Sequence, residues 1–359
     1  MITVFISLFI SFLSLVLGYE EADLVFVGDA MQHQAQLDAA RMPDKTYSYK
    51  GYFDDIKTIV ETADYAVVNL ETPVGPPPHT GYPCFNAPSE FVDALADTGF
   101  DLFLTANNHT LDRSHKGLRS TISVLDERGL AHLGTYSDSD ARSQALPRIV
   151  DVKGFKIAFL NYTYGTNGIE PRDGVVVDYI NRPLIKNDVE NARSAGAELV
   201  CVCIHWGTEY KLLPDAAQKN TADFLEALGV DMIIGAHPHV IQPMEFRANK
   251  YYPEKQLFLV YSLGNFVSNM KTHDTRGGAM AHVKLFRGED GKPVLKSADY
   301  RLLFTVPGTS PAKNFHVTTA DSVSAPSWIG RAAEFSRRAR EIFNKYNINV
   351  PETKGHMQE

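Results

Sequence analysis

The sequence predicts an α/β fold, and three observations carry that prediction. From residue 23 onward, short apolar runs alternate with longer amphipathic stretches, the pattern of strands interleaved with helices in a largely parallel or mixed sheet. Polar, chemistry-bearing residues fall where the apolar runs end. The composition, 44% hydrophobic and 22% charged over 359 residues, is that of a folded chain with ample core. A net charge of −8 argues against a nucleic-acid surface or a polybasic membrane patch. Three cysteines cannot close a disulfide framework. Cys201 and Cys203 sit two apart in a strand-like run and read as buried apolar residues.

Residues 2–18 are apolar and carry no charge, and the first Lys or Arg of the chain is Arg41. The run has the length of a signal-peptide core, so a cleaved signal or a retained N-terminal anchor over 1–18 is expected, with export to the cell envelope or beyond. The strands expected next are 24–28, 66–70, 102–105, 157–161, 199–204, 232–235 and 257–261. Between them, residues 89–98, 116–128, 186–195 and 215–228 have helical amphipathicity. After residue 268 the texture changes. Segments 279–287 and 293–306 flank a Gly-Glu-Asp-Gly turn and read as a β-hairpin; 327–346 reads as a helix and 351–359 as a frayed tail. The expected organisation is a main domain over 19–310 and a C-terminal extension over 311–359.

The strand ends hold the chemistry. The first expected strand runs into Asp29 and His33, the second into Asn69 and Glu71, and the third into Asn108 and His109. The fifth ends at His205, the sixth at His237 and His239, and the seventh at Ser262 and Asn265. Carboxyl ends of the strands of an open α/β sheet share one edge, where ligands bind, so separate segments deliver Asp, Glu, Asn and His to one place. Imidazoles, carboxylates and a carboxamide oxygen, without thiolates, suit one or two Zn, Mn or Fe ions. His237-Pro238-His239 is expected to set two imidazoles on one face of an extended segment. Two divalent ions against Asp29 and Glu71 leave a positive site that attracts phosphate or carboxylate and acidifies a bridging water.

The ordered set GD, NLE, ANNHxxD, HWGTEY, GAHPH and YSLGNF, spread over residues 23–268, resembles the bacterial CapA family of capsule synthesis. That family is associated with poly-γ-glutamate and sits within the calcineurin-like metallophosphoesterase superfamily. The resemblance implies a four-layer α/β/β/α sandwich with metals at the strand ends. By the same resemblance, Glu71 matches a bridging carboxylate that is commonly Asp. Asp29 and His239 match ligands of one ion, and Asn108, His205 and His237 match ligands of the other. His109 matches the histidine that assists the leaving group or transition state. Three positions depart from the superfamily pattern. The histidine usual two residues after the first Asp is missing, the nearest being His33. Asn107 stands where Gly is usual, and Thr110 stands where an acid is common, with Asp112 the nearest substitute. The first departure removes a ligand and leaves one ion or two open.

The remaining candidates keep two readings each. His33 ligates if residues 29–33 turn helically, bringing i and i+4 together; otherwise it is a loop histidine. Glu209 is an acceptor behind a ligand, a substrate contact, or half of a surface ion pair. Asp112 either orients His109 or caps the following helix. Asn69 and Asn265 shape loops or contact substrate. The resemblance implies an exported protein in making or handling a capsule or poly-γ-glutamate. Its site would be a metal-dependent hydrolase or transferase centre, phosphoesterase-like, for an anionic polymer or a phosphate- or carboxylate-bearing substrate, with membrane polymer-synthase subunits as partners. The alternatives are a non-catalytic assembly factor and a secreted phosphoesterase or nucleotidase unconnected with capsule. All of these readings require Glu71, Asn108, His205, His237 and His239 to meet.

Overall fold

The computed structural model describes residues 20–288 and 290–353. The apolar segment 2–18 and the last six residues of the expected tail lie outside the described residues. In chain order the first half forms β1 (Glu20–Ala30), α1 (Gln34–Ala40), α2 (Asp54–Glu61), β2 (Tyr65–Leu70), α3 (Ser89–Asp97), β3 (Leu102–Leu104), α4 (Ser114–Glu127), β4 (Ala131–Leu133), β5 (Thr135–Tyr136) and α5 (Ser139–Ala145). The second half forms β6 (Arg148–Val152), β7 (Phe155–Thr163), β8 (Val176–Val177), α6 (Arg182–Ser194), β9 (Leu199–His205), α7 (Ala216–Ala227), β10 (Met232–Ala236), β11 (Ile241–Ala248), β12 (Gln256–Leu263), β13 (Asn265–Val267), β14 (Gly277–Arg287), β15 (Pro293–Val306), β16 (His316–Thr319) and α8 (Pro326–Tyr346).

The strands make two large sheets. One runs β16-β15-β14-β1-β2-β3-β4, with β13 also paired to β1; the other runs β11-β12-β10-β9-β7-β6. The two-residue period of a strand decides what lies on each face. In β1, Leu24 and Phe26 join the core between the sheets, while Val25 and Val27 turn to the layer of α2 and α3, beside Ile56, Phe91 and Leu95. In β9, Cys201 and Cys203 face the inter-sheet core, while Val200, Val202 and Ile204 face α6 and α7, beside Ile185, Val189 and Leu225. Three cores between four layers make an α/β/β/α sandwich. Both cysteines are fully buried, as their spacing implies.

Local sequence starts the helices as capping chemistry requires. Asp215 and Gln218 form a reciprocal capping box at α7, the Asp215 carboxylate accepting from Gln218 N at 2.9 Å. Asn181 caps α6 by accepting from Leu184 N at 3.0 Å. The hairpin of β14 and β15 forms as expected. Helix α8 is no satellite: Ala332, Phe335, Ala339 and Phe343 enter the inter-sheet core. The expected frayed tail needs correction at its start. Pro351 O accepts from Tyr300 N at 3.1 Å, and Thr353 N donates to Tyr300 O at 2.8 Å, so residues 351–353 lie along β15. The elements absent from the sequence reading are short or at sheet edges, such as β4, β13 and β16, where too few residues repeat to show a period. Among the described residues no helix is long and apolar enough to cross a membrane.

Candidate metal centre

The carboxyl ends of β1, β2 and β3 in one sheet and of β9, β10 and β12 in the other open onto the same end of the sandwich. The join between the sheets is covalent: β12 of one sheet passes through Gly264 into β13, which pairs with β1 of the other, placing Asn265 opposite Asp29. Asp29 N donates to Gly264 O at 3.0 Å. Pairing of β1 with β2 slips between Val27 and Asp29, a bulge of the kind that re-aims side chains at the ends of strands. It turns Asp29 into the centre, where the residue is fully buried.

Hydrogen bonds tie the predicted residues together. Asn69 Nδ2 donates to Asp29 Oδ1 at 2.8 Å and lies 3.3 Å from His205 Nδ1. His239 Nδ1 stands 3.1 Å from Asp29 Oδ2 and 3.1 Å from Asn265 Oδ1. His205 Nε2 lies 2.9 Å from Asn108 Oδ1 and 3.5 Å from Glu71 Oε1; His239 Nε2 lies 3.9 Å from the same Glu71 oxygen. Atoms of Glu71, His205 and His237 fall within 4.8 Å of one another, as do those of Asp29, Glu71 and His239. Two ligands of one ion, each about 2.1 Å away, stand no more than about 4.2 Å apart, so only a small closure separates these triads from coordination.

Whether a cation fits is tested by what these groups lack. Both oxygens of Glu71 and Nδ1 of His237 are buried with no hydrogen-bond partner. An unpaired buried carboxylate is costly, and burial, followed by the charge of Asp29, pushes the Glu71 carboxyl well above its usual range. The nearest ring nitrogens, His205 Nε2 at 3.5 Å and His239 Nε2 at 3.9 Å, stand too far off to hydrogen-bond it well. Burial lowers His205 well below the ordinary imidazole range and His237 to about 3, with the neighbouring histidines adding to both. Both rings are therefore neutral near pH 7, the form that binds metal. Burial opposes protonation of His239 too, but its bond to Asp29 outweighs that and raises it. The donor set fits one or two divalent cations.

His109, next in the chain to Asn108, is buried, with its ring edge-on to that of Phe85 at 4.7 Å. Its Nδ1 meets Asp112 Oδ2 at 2.8 Å, while Arg113, not Asp112, occupies the N-cap of α4. Asp112 thus orients His109. Asn107, in the place where Gly is usual, shapes the loop: its Nδ2 donates to Leu70 O at 2.9 Å and its Oδ1 accepts from His109 N at 3.1 Å.

Several expectations change. The helical turn over 29–33 does not form: β1 continues to Ala30, and His33 is extended at the N-cap of α1. There Nδ1 of His33 faces Gln36 Oε1 at 3.2 Å and accepts from Asn269 N at 3.3 Å, so the turn that would bring it to Asp29 is absent and its Nδ1 is engaged elsewhere. Asn69 and Asn265 are buried with their amides committed to Asp29, His205, His239 and Thr275 O. His237-Pro238-His239 is bent, not extended, with φ of +100° and +59° at the two histidines. Such strained φ values collect at functional sites. Among the aromatic residues next to the motif residues, Trp206 and Phe266 belong to the helix-side cores, whereas Tyr210 is 53% exposed with its ring 6.2 Å from that of His239. Glu209 comes nearer than a surface ion pair would, grouping with His237 and His239. The residue that sequence reasoning missed is Tyr164, 47% exposed, with its ring 4.5 Å from that of His237. It follows the end of β7, so the strand-end rule that found the histidines also points to it.

With this geometry established, comparison with known proteins is direct. The pattern described as "Bacterial capsule synthesis protein PGA_cap" matches residues 23–270. The chain belongs to this family. "PGA biosynthesis protein CapA" of Bacillus subtilis (strain 168) is 30% identical over 285 residues, covering 74% of this chain and 68% of that one. "Capsule biosynthesis protein CapA" of Bacillus anthracis is 26% identical over 278 residues, covering 74% of this chain and 64% of that one. The capsule-family chain therefore spans about two thirds of the length of these relatives. Among solved structures, NAD nucleotidase (NadN) of Haemophilus influenzae aligns over 90% of this chain and 61% of that one, at 12% identity and a TM-score of 0.48.

Proposed function

We propose that this PGA_cap-family chain is exported and handles an anionic extracellular polymer or its phosphate- or carboxylate-bearing precursor, at a site that binds one or two divalent cations and performs hydrolysis or transfer. The observation that carries the reading is Glu71, a buried carboxylate with neither oxygen hydrogen-bonded, standing between two groups of ligand-type residues. Asp29, Glu71 and His239 would hold one ion, and Glu71, Asn108, His205 and His237 the other. Bound there, divalent ions would supply Lewis acidity and lower the pKa of a water between them. The protein's own residues do the rest. Asn69 and Asn265 hold Asp29, His205 and His239 in place. Asp112 accepts from Nδ1 of His109, which leaves Nε2 to carry a proton to a leaving oxygen.

The test is metal analysis of the purified chain, together with assays on phosphodiesters, phosphomonoesters and γ-glutamyl peptides. Turnover should depend on metal and disappear in His205→Ala and His237→Ala. In His109→Ala it should fall by roughly 10²–10⁴-fold with metal content unchanged. Undiminished activity in the two ligand variants overturns the reading. A second reading, an assembly factor of a membrane polymer synthase that binds metal without turnover, is favoured by one feature. Met31, which offers no ligand of the expected kind, stands two residues after Asp29, where the superfamily carries a histidine. Metal bound stoichiometrically with no turnover on any of these substrates would select it.

A further inference from the structure

We infer that Glu209 is a third carboxylate of the centre and ligates metal from the mouth, across from Glu71, taking the place of the imidazole that Met31 cannot supply. The inference rests on the metal reading above and extends it to a residue outside the family-derived ligand set. Its first support is reach. Glu71 groups with His237 on one side and with His239 on the other, and a Glu209 oxygen falls within 4.8 Å of both the His237 and the His239 ligand atoms. The two histidines belong to different proposed ions, so Glu209 spans the same pair that Glu71 spans.

The second support is the way the chain holds Glu209 there. Trp206 N donates to Ala236 O at 3.1 Å, and Tyr210 N donates to Pro238 O at 2.8 Å. These two bonds fasten the 206–210 turn, on both sides of Glu209, to the backbone that carries His237 and His239. The turn can follow that path because Gly207 has φ of +88° and its missing Cβ leaves room for the Gln218 carboxamide, which a Cβ would meet at 2.5 Å. Tyr210 also takes a left-handed φ, of +65°, which turns the chain at the residue after Glu209.

The third support is valence. Asp29, Glu71 and His239 would give one ion three protein ligands, and Glu209, within reach of His239, would add a fourth donor. It also takes the protein charge around two dications from −2 to −3, leaving the site less positive and suited to a substrate of modest negative charge.

The experiment loads the full chain with Mn²⁺, removes unbound metal by gel filtration, and reads Mn per chain by elemental analysis and spin coupling by electron paramagnetic resonance. Glu209→Gln and Glu209→Ala should weaken the affinity for one Mn²⁺ by about tenfold or more, and a coupled two-ion signal, where the wild type shows one, should become that of isolated Mn²⁺. Circular dichroism confirms that each variant is folded. Wild-type stoichiometry and affinity in both variants would overturn the inference and return Glu209 to the role of a substrate contact. Absence of Mn²⁺, Zn²⁺ and Fe²⁺ binding by the wild type would instead overturn the metal reading, and the inference with it.

Discussion

Glu71 shows how a single side chain can declare a missing partner. A carboxylate that is fully buried beside another acid and accepts no hydrogen bond destabilises the fold unless a cation or a proton neutralises it. Glu71→Gln removes the charge and keeps the shape. Metal at a hundredfold above its dissociation constant stabilises a binding-competent protein by about 3 kcal/mol. Thermal melts with Mn²⁺ and with chelator should therefore separate clearly for the wild type and nearly coincide for Glu71→Gln. The chelated variant should melt no lower than the chelated wild type. A full metal-induced upshift in the variant would show that Glu71 does not ligate.

At the scale of elements, the centre depends on how closely the strand ends approach each other. A Cβ on Gly28 would stand 1.9 Å from Gly264 O, and one on Gly235 would stand 2.1 Å from Tyr261 O. Both glycines lie beside motif residues, Gly28 before Asp29 and Gly235 two before His237, and both admit neighbouring backbone that no side chain could. Neither opposing atom is the flexible end of a side chain, so strands must move. Gly28→Ala and Gly235→Ala should each cost on the order of 3 kcal/mol, measured as a drop in the urea midpoint of the chelated protein. A loss below about 0.5 kcal/mol, the scale of a neutral surface change, would show that the strands can part without penalty.

Across the whole molecule, the long strands β1, β14 and β15 are locked by charge as well as by their ladder. His282 on β14 lies 2.9 Å from Asp23 Oδ1 on β1 and 3.0 Å from Asp299 Oδ2 on β15. Burial opposes its protonation, but the two carboxylates prevail and raise it to about 9. Because the folded-state value lies above the ordinary 6.5, the stabilisation is complete below pH 6.5 and disappears as pH climbs through about 9. A shift of that size corresponds to on the order of 3 kcal/mol, and solvent screening of this partly exposed group reduces it to roughly 1–2 kcal/mol. Urea unfolding should show the wild type ahead of His282→Gln by that margin at pH 6, with the gap closing by pH 10. A gap independent of pH would mean that the imidazole contributes by packing alone. Thr353 donates to the same Asp299, so residues after α8 share in this lock.

Local pattern by itself determined the alternation of strands and helices, the inward cysteines of β9, and the residue types gathered at the ends of the strands. Periodicity and ligand chemistry act over a few residues, and Asp29, Glu71, Asn108, His205, His237 and His239 could be named for that reason. Where Asn69, Asn265, His33 and Glu209 stand was decided only in three dimensions. Asn69 reaches His205 across 136 residues of chain, and His239 reaches Asp29 across 210; whether such pairs meet depends on how two sheets pack, which no short window encodes. The short edge strands and the docking of α8 into the inter-sheet core escaped for the same reason, since their stability comes from partners distant along the chain and not from their own period.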